Sequence, residues 1–418
     1  MLSIQTERAV NLPVAEVDIV VFVTAVAFCV ALYTWIASKR DRGGAWIDKV
    51  RLMRLHHVAV GMAMGYTCLS PLRSVADMGI PLVVAFLCSW FAMALGGAVD
   101  LRMLRKVGLN VAIVELTQLA LLVLLLLLLI YAPENEMKVS TMVLWAIGGV
   151  SAASWPQQRW SEKKKRLSSL TPHWMPSVAI LGGILLLGIG SMQTRIGPPI
   201  FIYQPFSNSL LVDGFGERIL GSIALGALVG LLADLATRGA RTNYFPYIVA
   251  GGLMLGTGIG SSVAFDPLWV GAFAGFWLIN ATLRRVEVLA LVEGGTGGLK
   301  AAVYIVTGWM LGVQCMQWEI NAPLFFWTLL LLLLLPAIRL MGWRIAGESI
   351  GDNEGYIQWF ALGDFALVAA LSLTTFVDPA SGAALLSALL LGKMVFAASG
   401  RWLTGVLVGL LENREKRT

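Results

Sequence analysis

Charged side chains are scarce in this 418-residue chain, at 13% of the sequence against about 25% in an average soluble protein. Hydrophobic residues make up 57%, and the mean hydropathy is +0.77. Because a water-soluble fold of this size could not cover its surface with so few charges, a soluble enzyme is excluded. The 15 Trp and 17 Phe are spread along the whole length, which excludes a low-complexity disordered chain. The composition predicts a polytopic membrane protein.

Cysteine and histidine are also rare, with four and three residues. The cysteines lie in or beside apolar runs, without the spacing of a metal or disulfide motif. No His or acidic residues cluster on adjoining connections, so an enzyme is disfavoured and no cofactor or metal is expected. The net charge of +6 does not predict a nucleic-acid partner, because the basic residues lie in short connections between apolar runs.

Thirteen apolar runs are candidates for membrane-crossing helices, since a crossing takes about 20 residues. The predicted spans are 18–37, 57–72, 80–98, 109–132, 140–156, 176–192, 212–236, 244–262, 267–282, 296–315, 323–342, 356–377 and 382–410. They form one transmembrane domain, 18–410. Its halves, 18–192 and 212–410, are joined by an outer loop, 193–211. No connection is long enough for a globular domain, so any activity is expected within the membrane or through a partner.

Positive charge alternates between successive connections. The odd-numbered connections and the C-terminal tail carry most of it: Lys39, Arg40, Arg42, Lys49, Arg51, Arg54, Arg102, Arg105, Lys106, Arg159, Lys163, Lys164, Lys165, Arg166, Arg238, Arg241, Arg284, Arg285, Arg339, Arg344, Arg414, Lys416 and Arg417. The even-numbered connections hold Arg73, Lys138 and Arg195. The positive-inside rule therefore predicts an extracytoplasmic N-terminal segment, 1–17, and a cytoplasmic tail, 411–418, in a cell inner (plasma) membrane.

A few polar side chains lie inside the predicted spans, where they are costly and become functional candidates. Asp364 in span twelve has two interpretations, a helix-end or packing role and a place on an ion path. Glu115 and Gln118 share one face of span four and either hold helices together or line that path. Lys300 and Lys393 are interpreted as residues whose ammonium groups reach back to the membrane surface.

Glycines four residues apart recur in the second half, at Gly226 and Gly230 and at Gly271 and Gly275. Small residues at this spacing predict close helix packing, or surfaces that slide between moving domains. The segment GGTGGLK at 294–300 lacks the spacing of a phosphate-binding loop, so it is predicted to be a flexible start of span ten.

Four segments with recognisable motifs follow one another along the chain: VGMAMGYTCLSPL at 60–72, GGAVDLRMLRKVG at 96–108, FDPLWVGAFAGFWLINATLRR at 265–285 and LGDFALVAAL at 362–371. Together they resemble the monovalent cation:proton antiporter superfamily, in the branch of bacterial potassium-efflux and sodium–proton exchangers. The resemblance covers roughly residues 55–400. The cytoplasmic nucleotide-binding domain of that branch has no counterpart in this sequence.

The resemblance implies an all-α fold with an inverted repeat, built from a panel domain and a core domain. Two broken helices would cross in the core: span five, which contains Ser151 and Ser154, and span twelve around Asp364. The family further implies a homodimer through the panel domain. Its members exchange Na⁺ or K⁺ against H⁺ by alternating access, so the expected partners are a monovalent cation, the proton and the lipid bilayer.

The chain departs from the family at the ion-carrying carboxylate. That acid lies on the span after the first crossing helix, but here span six, 176–192, contains no Asp or Glu and Ser177 falls near the position. Because a serine cannot release a proton near neutral pH, exchange would need a relocated titrating group such as Asp364 or Glu115. Two hypotheses follow, an active secondary transporter and a transport-inactive scaffold, sensor or subunit of a larger membrane complex. The candidate ion-pathway residues are Asp364, Ser177, Ser151, Ser154, Glu115 and Gln118.

Overall fold

The computed structural model describes residues 54–66, 70–98, 101, 215–263, 265–317, 321–345, 364–376 and 378–395. In these ranges the chain forms nine α-helices: α1 (Leu55–Tyr66), α2 (Ser70–Ala98), α3 (Phe215–Gly239), α4 (Phe245–Ser262), α5 (Pro267–Ala281), α6 (Arg285–Gln317), α7 (Ala322–Ile345), α8 (Phe365–Phe376) and α9 (Pro379–Val395). A 3₁₀ turn, Thr242–Tyr244, leads into α4. Predicted spans one, four, five and six, and the outer loop 193–211, lie outside the described residues.

Helices α3, α4, α5 and α7 form where spans seven, eight, nine and eleven are predicted, within a few residues at each end. Two other helices are longer than expected. Helix α2 begins at Ser70 rather than at residue 80, with Pro71 in its first turn. A proline is tolerated there because the first N–H groups of a helix have no partner in the helix. Helix α6 begins at Arg285 rather than at residue 296.

The glycine-rich segment 294–298 is part of α6, so the prediction of a flexible start to span ten is wrong. Helix α6 has 33 residues and is about 50 Å long at 1.5 Å per residue. A Cβ atom at Gly295 would clash with the indole ring of Trp90 in α2. The glycine therefore makes room for a large side chain of the neighbouring helix, and packing overrides its low helix propensity.

Helix α5 packs closely against two neighbours through glycines. A Cβ at Gly271 or Gly275 would clash with the backbone of α2, and one at Gly226 or Gly230 would lie 2.5 Å or 2.6 Å from a carbonyl oxygen of α5. The hydroxyl of Ser89 in α2 also donates a 2.7 Å hydrogen bond to the carbonyl at the start of α5. The close packing predicted from the glycine spacing is confirmed for both pairs.

A second glycine-lined contact joins α1 to α6. Cβ atoms at Gly61 and Gly65 of α1 would clash with the backbone of α6, and Cβ atoms at Gly308 and Gly312 of α6 would lie too close to the backbone of α1. Since the glycines come from both helices, the two backbones approach along several turns. This contact fixes the register of α1 against α6.

Helix α8 is buried in the described bundle and packs against α2 and α6. All ten residues from Phe365 to Thr374 are buried. The Cys88 thiol of α2 donates to the carbonyl of Val368, and α6 also packs against α8. Helix α9 follows after a short turn, where the Asp378 carboxylate accepts hydrogen bonds from the amides of Ala380 and Ser381, each 3.2 Å long.

Large apolar side chains remain exposed on α3, α4 and α7. Leu220, Tyr247, Leu255 and Phe326 are 66% exposed or more. Among the described helices, two segments are long and apolar enough to cross a bilayer, Ile80–Gly97 of α2 and Gly216–Gly239 of α3. Such surfaces suit contact with lipid, because hydrocarbon does not penalise exposed leucine as water does.

Candidate functional site

Asp364 lies immediately before α8, at the positive end of that helix. Its side chain is 5% exposed, and its carbonyl accepts a 3.1 Å hydrogen bond from the Leu367 amide in the first turn. Backbone N–H groups at a helix N-terminus favour a nearby negative charge. The start of α8 therefore helps to hold a carboxylate inside the bundle, where an isolated one would be very costly.

Two side chains from other helices contact the Asp364 carboxylate directly. The Tyr304 hydroxyl of α6 donates a 2.5 Å hydrogen bond to Oδ1. The Lys393 ammonium of α9 donates to the same oxygen and also to the Tyr304 hydroxyl, and it lies 5.1 Å from the centre of the Tyr304 ring. Carboxylate, ammonium and phenol thus form a closed triangle of hydrogen bonds. Tyr304 is 1% exposed and the Lys393 side chain is 16% exposed.

A second lysine faces the other carboxylate oxygen. The Lys300 ammonium of α6 lies 3.6 Å from Asp364 Oδ2, and its side chain is 24% exposed. That separation makes an ion pair but is too long for a good hydrogen bond. Lys300 and Tyr304 lie one helical turn apart, so α6 presents both on one face.

The four side chains form a compact polar centre inside a largely apolar bundle, at the meeting of α6, α8 and α9. We call Asp364, Lys393, Tyr304 and Lys300 the Asp364 cluster. It contains one acid, two bases and a hydroxyl that can both donate and accept, so it can hold, release and pass a proton. Within the described ranges, no group of three His, Cys, Asp or Glu side chains could hold a metal ion.

A second buried ion pair lies away from this cluster, at the end of α3. The Asp234 side chain is fully buried and accepts hydrogen bonds of 3.1 Å and 2.6 Å from Arg238, one turn later, through Oδ2. The Arg238 side chain is 55% exposed. This pair is local to one helix, whereas the Asp364 cluster joins three helices.

The structure places one of the six candidate residues, Asp364, at the centre of this site. Glu115, Gln118, Ser151, Ser154 and Ser177 lie outside the described residues, so their roles stay predictions.

The sequence interpretation of Lys300 and Lys393 was wrong. Their ammonium groups point to Asp364 rather than to the membrane surface. The available signal was the spacing of Lys300 and Tyr304, which puts two polar groups on one face of an apolar helix. Nothing in the local sequence pairs either residue with Lys393 or Asp364, because those contacts join different helices.

Comparison with known proteins identifies a fold. No protein family and no curated protein matches the chain in sequence. The structure of the sodium proton antiporter MjNhaP1 from Methanocaldococcus jannaschii is similar, with a TM-score of 0.50 over 93% of this chain and 98% of that chain. The two sequences are 14% identical. At that identity the likeness shows the fold, which is all-helical and of the cation:proton antiporter type found in membrane transporters.

Proposed function

We propose that this protein is a secondary transporter that exchanges a monovalent cation, Na⁺ or K⁺, against protons, with Asp364 as its central carboxylate. The observation that carries the proposal is the position of Asp364, which is buried before α8 and held by Lys393 and Tyr304 from two other helices. Ionisable groups inside a membrane bundle are costly and usually mark an ion pathway. The antiporter fold supports the same function.

The Asp364 cluster offers a titrating group in place of the acid that span six lacks. In the resting arrangement the Lys393 ammonium pairs with Asp364 Oδ1, as a bound metal cation would. When Lys393 releases its proton, the carboxylate is left free to take Na⁺ or K⁺. When the cation leaves, Lys393 takes up a proton and pairs again. One proton then moves for each cation, and the charge of the cluster is the same in both states.

Tyr304 has a positioning role in this scheme. Its hydroxyl donates to Asp364 and accepts from Lys393, so it holds the two groups together in the paired state. When Lys393 is neutral, the same hydroxyl still donates to the carboxylate. Lys300 stays near Oδ2 throughout and lowers the cost of the buried carboxylate.

The proposal is tested in proteoliposomes that carry an imposed pH gradient. We expect Na⁺ or K⁺, added separately, to collapse the gradient, and Li⁺ serves as a third cation. Asp364→Asn should lower the proton-coupled flux at least tenfold, because the amide cannot hold a cation by charge. Unchanged flux in the variant would remove Asp364 from the mechanism.

Asp234→Asn is the matched control. It also neutralises a buried, ion-paired carboxylate, but one whose partner is a single exposed arginine on the same helix. Its flux should stay within about twofold of the unchanged protein once both are reconstituted at equal amounts. An equal loss of flux in both variants would indicate a general effect of removing buried charge, and would count against a specific role for Asp364.

A second function is favoured by one feature of the site. Both oxygens of Asp364 already face ammonium groups, so the cluster could serve as a fixed structural link in a transport-inactive scaffold, sensor or subunit. Correctly folded protein would then show no cation-dependent flux with any of the three cations. Under this alternative, purification from native membranes should recover a stoichiometric membrane partner. A homodimer through the panel domain is compatible with both functions.

A further inference from the structure

Three arginines lie together at one end of the described bundle, in the turn between α3 and α4 and in the turn between α5 and α6. Nη1 of Arg284 donates a 3.0 Å hydrogen bond to the carbonyl of Ala240, and the guanidinium carbon lies 5.5 Å from the centre of the Phe245 ring. Arg241 follows Ala240 directly, and Arg238 precedes it by two residues. The hydrogen bond therefore joins the two turns, and the three arginines belong to one surface.

The guanidinium groups of this surface are accessible to a ligand. The Arg238 side chain is 55% exposed, and its two hydrogen bonds to Asp234 use Nε and Nη2, so Nη1 remains for another acceptor. Arg241 is exposed, and within the described ranges no hydrogen bond or ion pair engages its side chain. Glu287, an exposed acid three residues after Arg284, makes no ion pair with it. The surface thus offers N–H donors to an acceptor from outside the chain.

Tyrosines and then apolar side chains follow these arginines towards the middle of the helices. Tyr244 and Tyr247, shortly after Arg241 in the chain, are 58% and 75% exposed. Met254 lies seven residues beyond Tyr247 on the same face of α4 and is 58% exposed. Leu235, in the last turns of α3, is 51% exposed. The order from charged through tyrosine to apolar side chains matches the layers of a bilayer, from headgroups through the interface to hydrocarbon.

We propose that this surface binds the headgroup of an anionic phospholipid. Guanidinium groups donate paired hydrogen bonds to phosphate oxygens, and tyrosine hydroxyls add donors at the level of the headgroups. The acyl chains lie along the exposed apolar side of α4. We call the site the arginine–tyrosine surface, formed by Arg238, Arg241, Arg284, Tyr244 and Tyr247.

Charge complementarity decides the occupant of the arginine–tyrosine surface. A phosphate group is complementary to the arginines, whereas a symmetric contact with a second copy of the chain would bring arginine against arginine. This inference goes beyond the proposed exchange of cations and protons, because no residue of the Asp364 cluster contributes to the surface and binding of the lipid requires no transport.

The test is calorimetric titration of dioctanoyl phosphatidylglycerol into the purified full-length protein in a neutral detergent. We expect saturable binding, with much weaker binding of dioctanoyl phosphatidylcholine and little competition by inorganic phosphate. Arg241→Met should weaken the affinity for phosphatidylglycerol about fivefold, the usual effect of one arginine near an anionic headgroup. Arg284→Met should weaken it as well, and Arg241→Lys should keep most of the affinity.

Arg218→Met is the matched control, because Arg218 lies in the first turn of α3, at the opposite end of that helix from Arg238. Its affinity for phosphatidylglycerol should be unchanged. Thermal melting in detergent without lipid checks the folding of each variant. Arg241→Met should melt with the unchanged protein there, since its side chain is exposed and makes no contact with other described side chains, so a loss of affinity reports binding and not unfolding.

Three results would overturn the proposal. Equal affinity for phosphatidylglycerol and phosphatidylcholine would mean that the protein does not recognise headgroup charge. Unchanged affinity in both Arg241→Met and Arg284→Met would place any lipid elsewhere. Full competition by inorganic phosphate would show a site for a free anion and not for a lipid. Because the titration involves no flux, its outcome does not depend on whether the protein exchanges cations.

Discussion

At the scale of single residues, the buried charges of the Asp364 cluster stabilise one another. Burial would make each charged group costly on its own, and the hydrogen bonds among Asp364, Lys393 and Tyr304 offset that cost. Asp364 could be singled out from the sequence because an acid in an apolar segment is conspicuous. Its partners could not, because Lys300 and Lys393 each fit the simpler interpretation of a long side chain that reaches the membrane surface.

Lys393→Met should destabilise the protein by about 3–5 kcal/mol, the cost of leaving a buried charge without its closest partner. The double variant Asp364→Leu with Lys393→Met should regain part of that loss, because it removes both charges of the closest pair but leaves Lys300 without its carboxylate. Thermal melting of purified protein in one detergent measures the order: unchanged protein highest, double variant between, single variant lowest.

The control for that series is Arg241→Met, which removes an exposed positive charge in the turn before α4 and should change stability by no more than about 0.5 kcal/mol. If the double variant melts as low as Lys393→Met alone, the two side chains are not energetically coupled. The charged side chains of the Asp364 cluster would then lie close together without stabilising one another.

At the scale of helices, glycine spacing was the most informative local pattern. It predicted the close packing of α3 and α5, and the structure confirms it. The same reasoning failed for segment 294–298, where glycine indicated a flexible start and the structure has a continuous helix. The two cases differ because of tertiary packing, since Gly295 makes room for Trp90 of α2. The sequence alone does not show which side chain will fill the space beside a glycine.

Gly61→Ala should lower the melting temperature, because the added methyl group would clash with the carbonyl of Ile305 in α6. The two backbones must move apart to admit the methyl group, which loosens the glycine-lined contact of α1 with α6. Thermal melting of the purified variant in detergent measures the change.

Gly251→Ala is the matched control for the α1–α6 contact, since a Cβ there would meet no atom within 4 Å. Alanine favours a helix over glycine by about 1 kcal/mol, so this variant should be as stable as the unchanged protein or more so. If both alanine variants behave alike, the separation of α1 and α6 is not set by the glycines.

At the scale of the whole molecule, composition and apolar runs were enough to predict an all-helical membrane protein, and the structural likeness to an antiporter confirms the fold at that level. The boundaries of α2 and α6 were not predicted, because hydropathy marks the apolar part of a helix and not its polar ends. The count of thirteen spans, the inverted repeat and the homodimer stay predictions. They depend in part on residues outside those that the structure describes.

The orientation of the chain is testable at two connections that the structure does describe. Arg241 lies between α3 and α4, in a connection predicted to be cytoplasmic, and Phe265 lies between α4 and α5, on the predicted outer side. Single cysteines at these positions, introduced after replacing Cys29, Cys68, Cys88 and Cys315 by alanine, should differ in labelling by a membrane-impermeant maleimide. In intact cells Phe265→Cys should react and Arg241→Cys should not, whereas both should react once the membrane is permeabilised.

This labelling pattern tests the count of spans as well as the orientation. The side of the membrane predicted for each connection depends on how many spans precede it. Reversed labelling would mean either that the N-terminus is cytoplasmic or that the six predicted spans before α3 are miscounted by one. In either case the six predicted spans that follow Arg241 place the C-terminal tail on the same side as Arg241, so labelling of the tail would reverse as well. Labelling of the N-terminal segment 1–17 separates the two errors, since that segment is cytoplasmic in the first and extracytoplasmic in the second. In both cases the Asp364 cluster keeps its neighbours, since its contacts join helices α6, α8 and α9, all of which follow the tested connections.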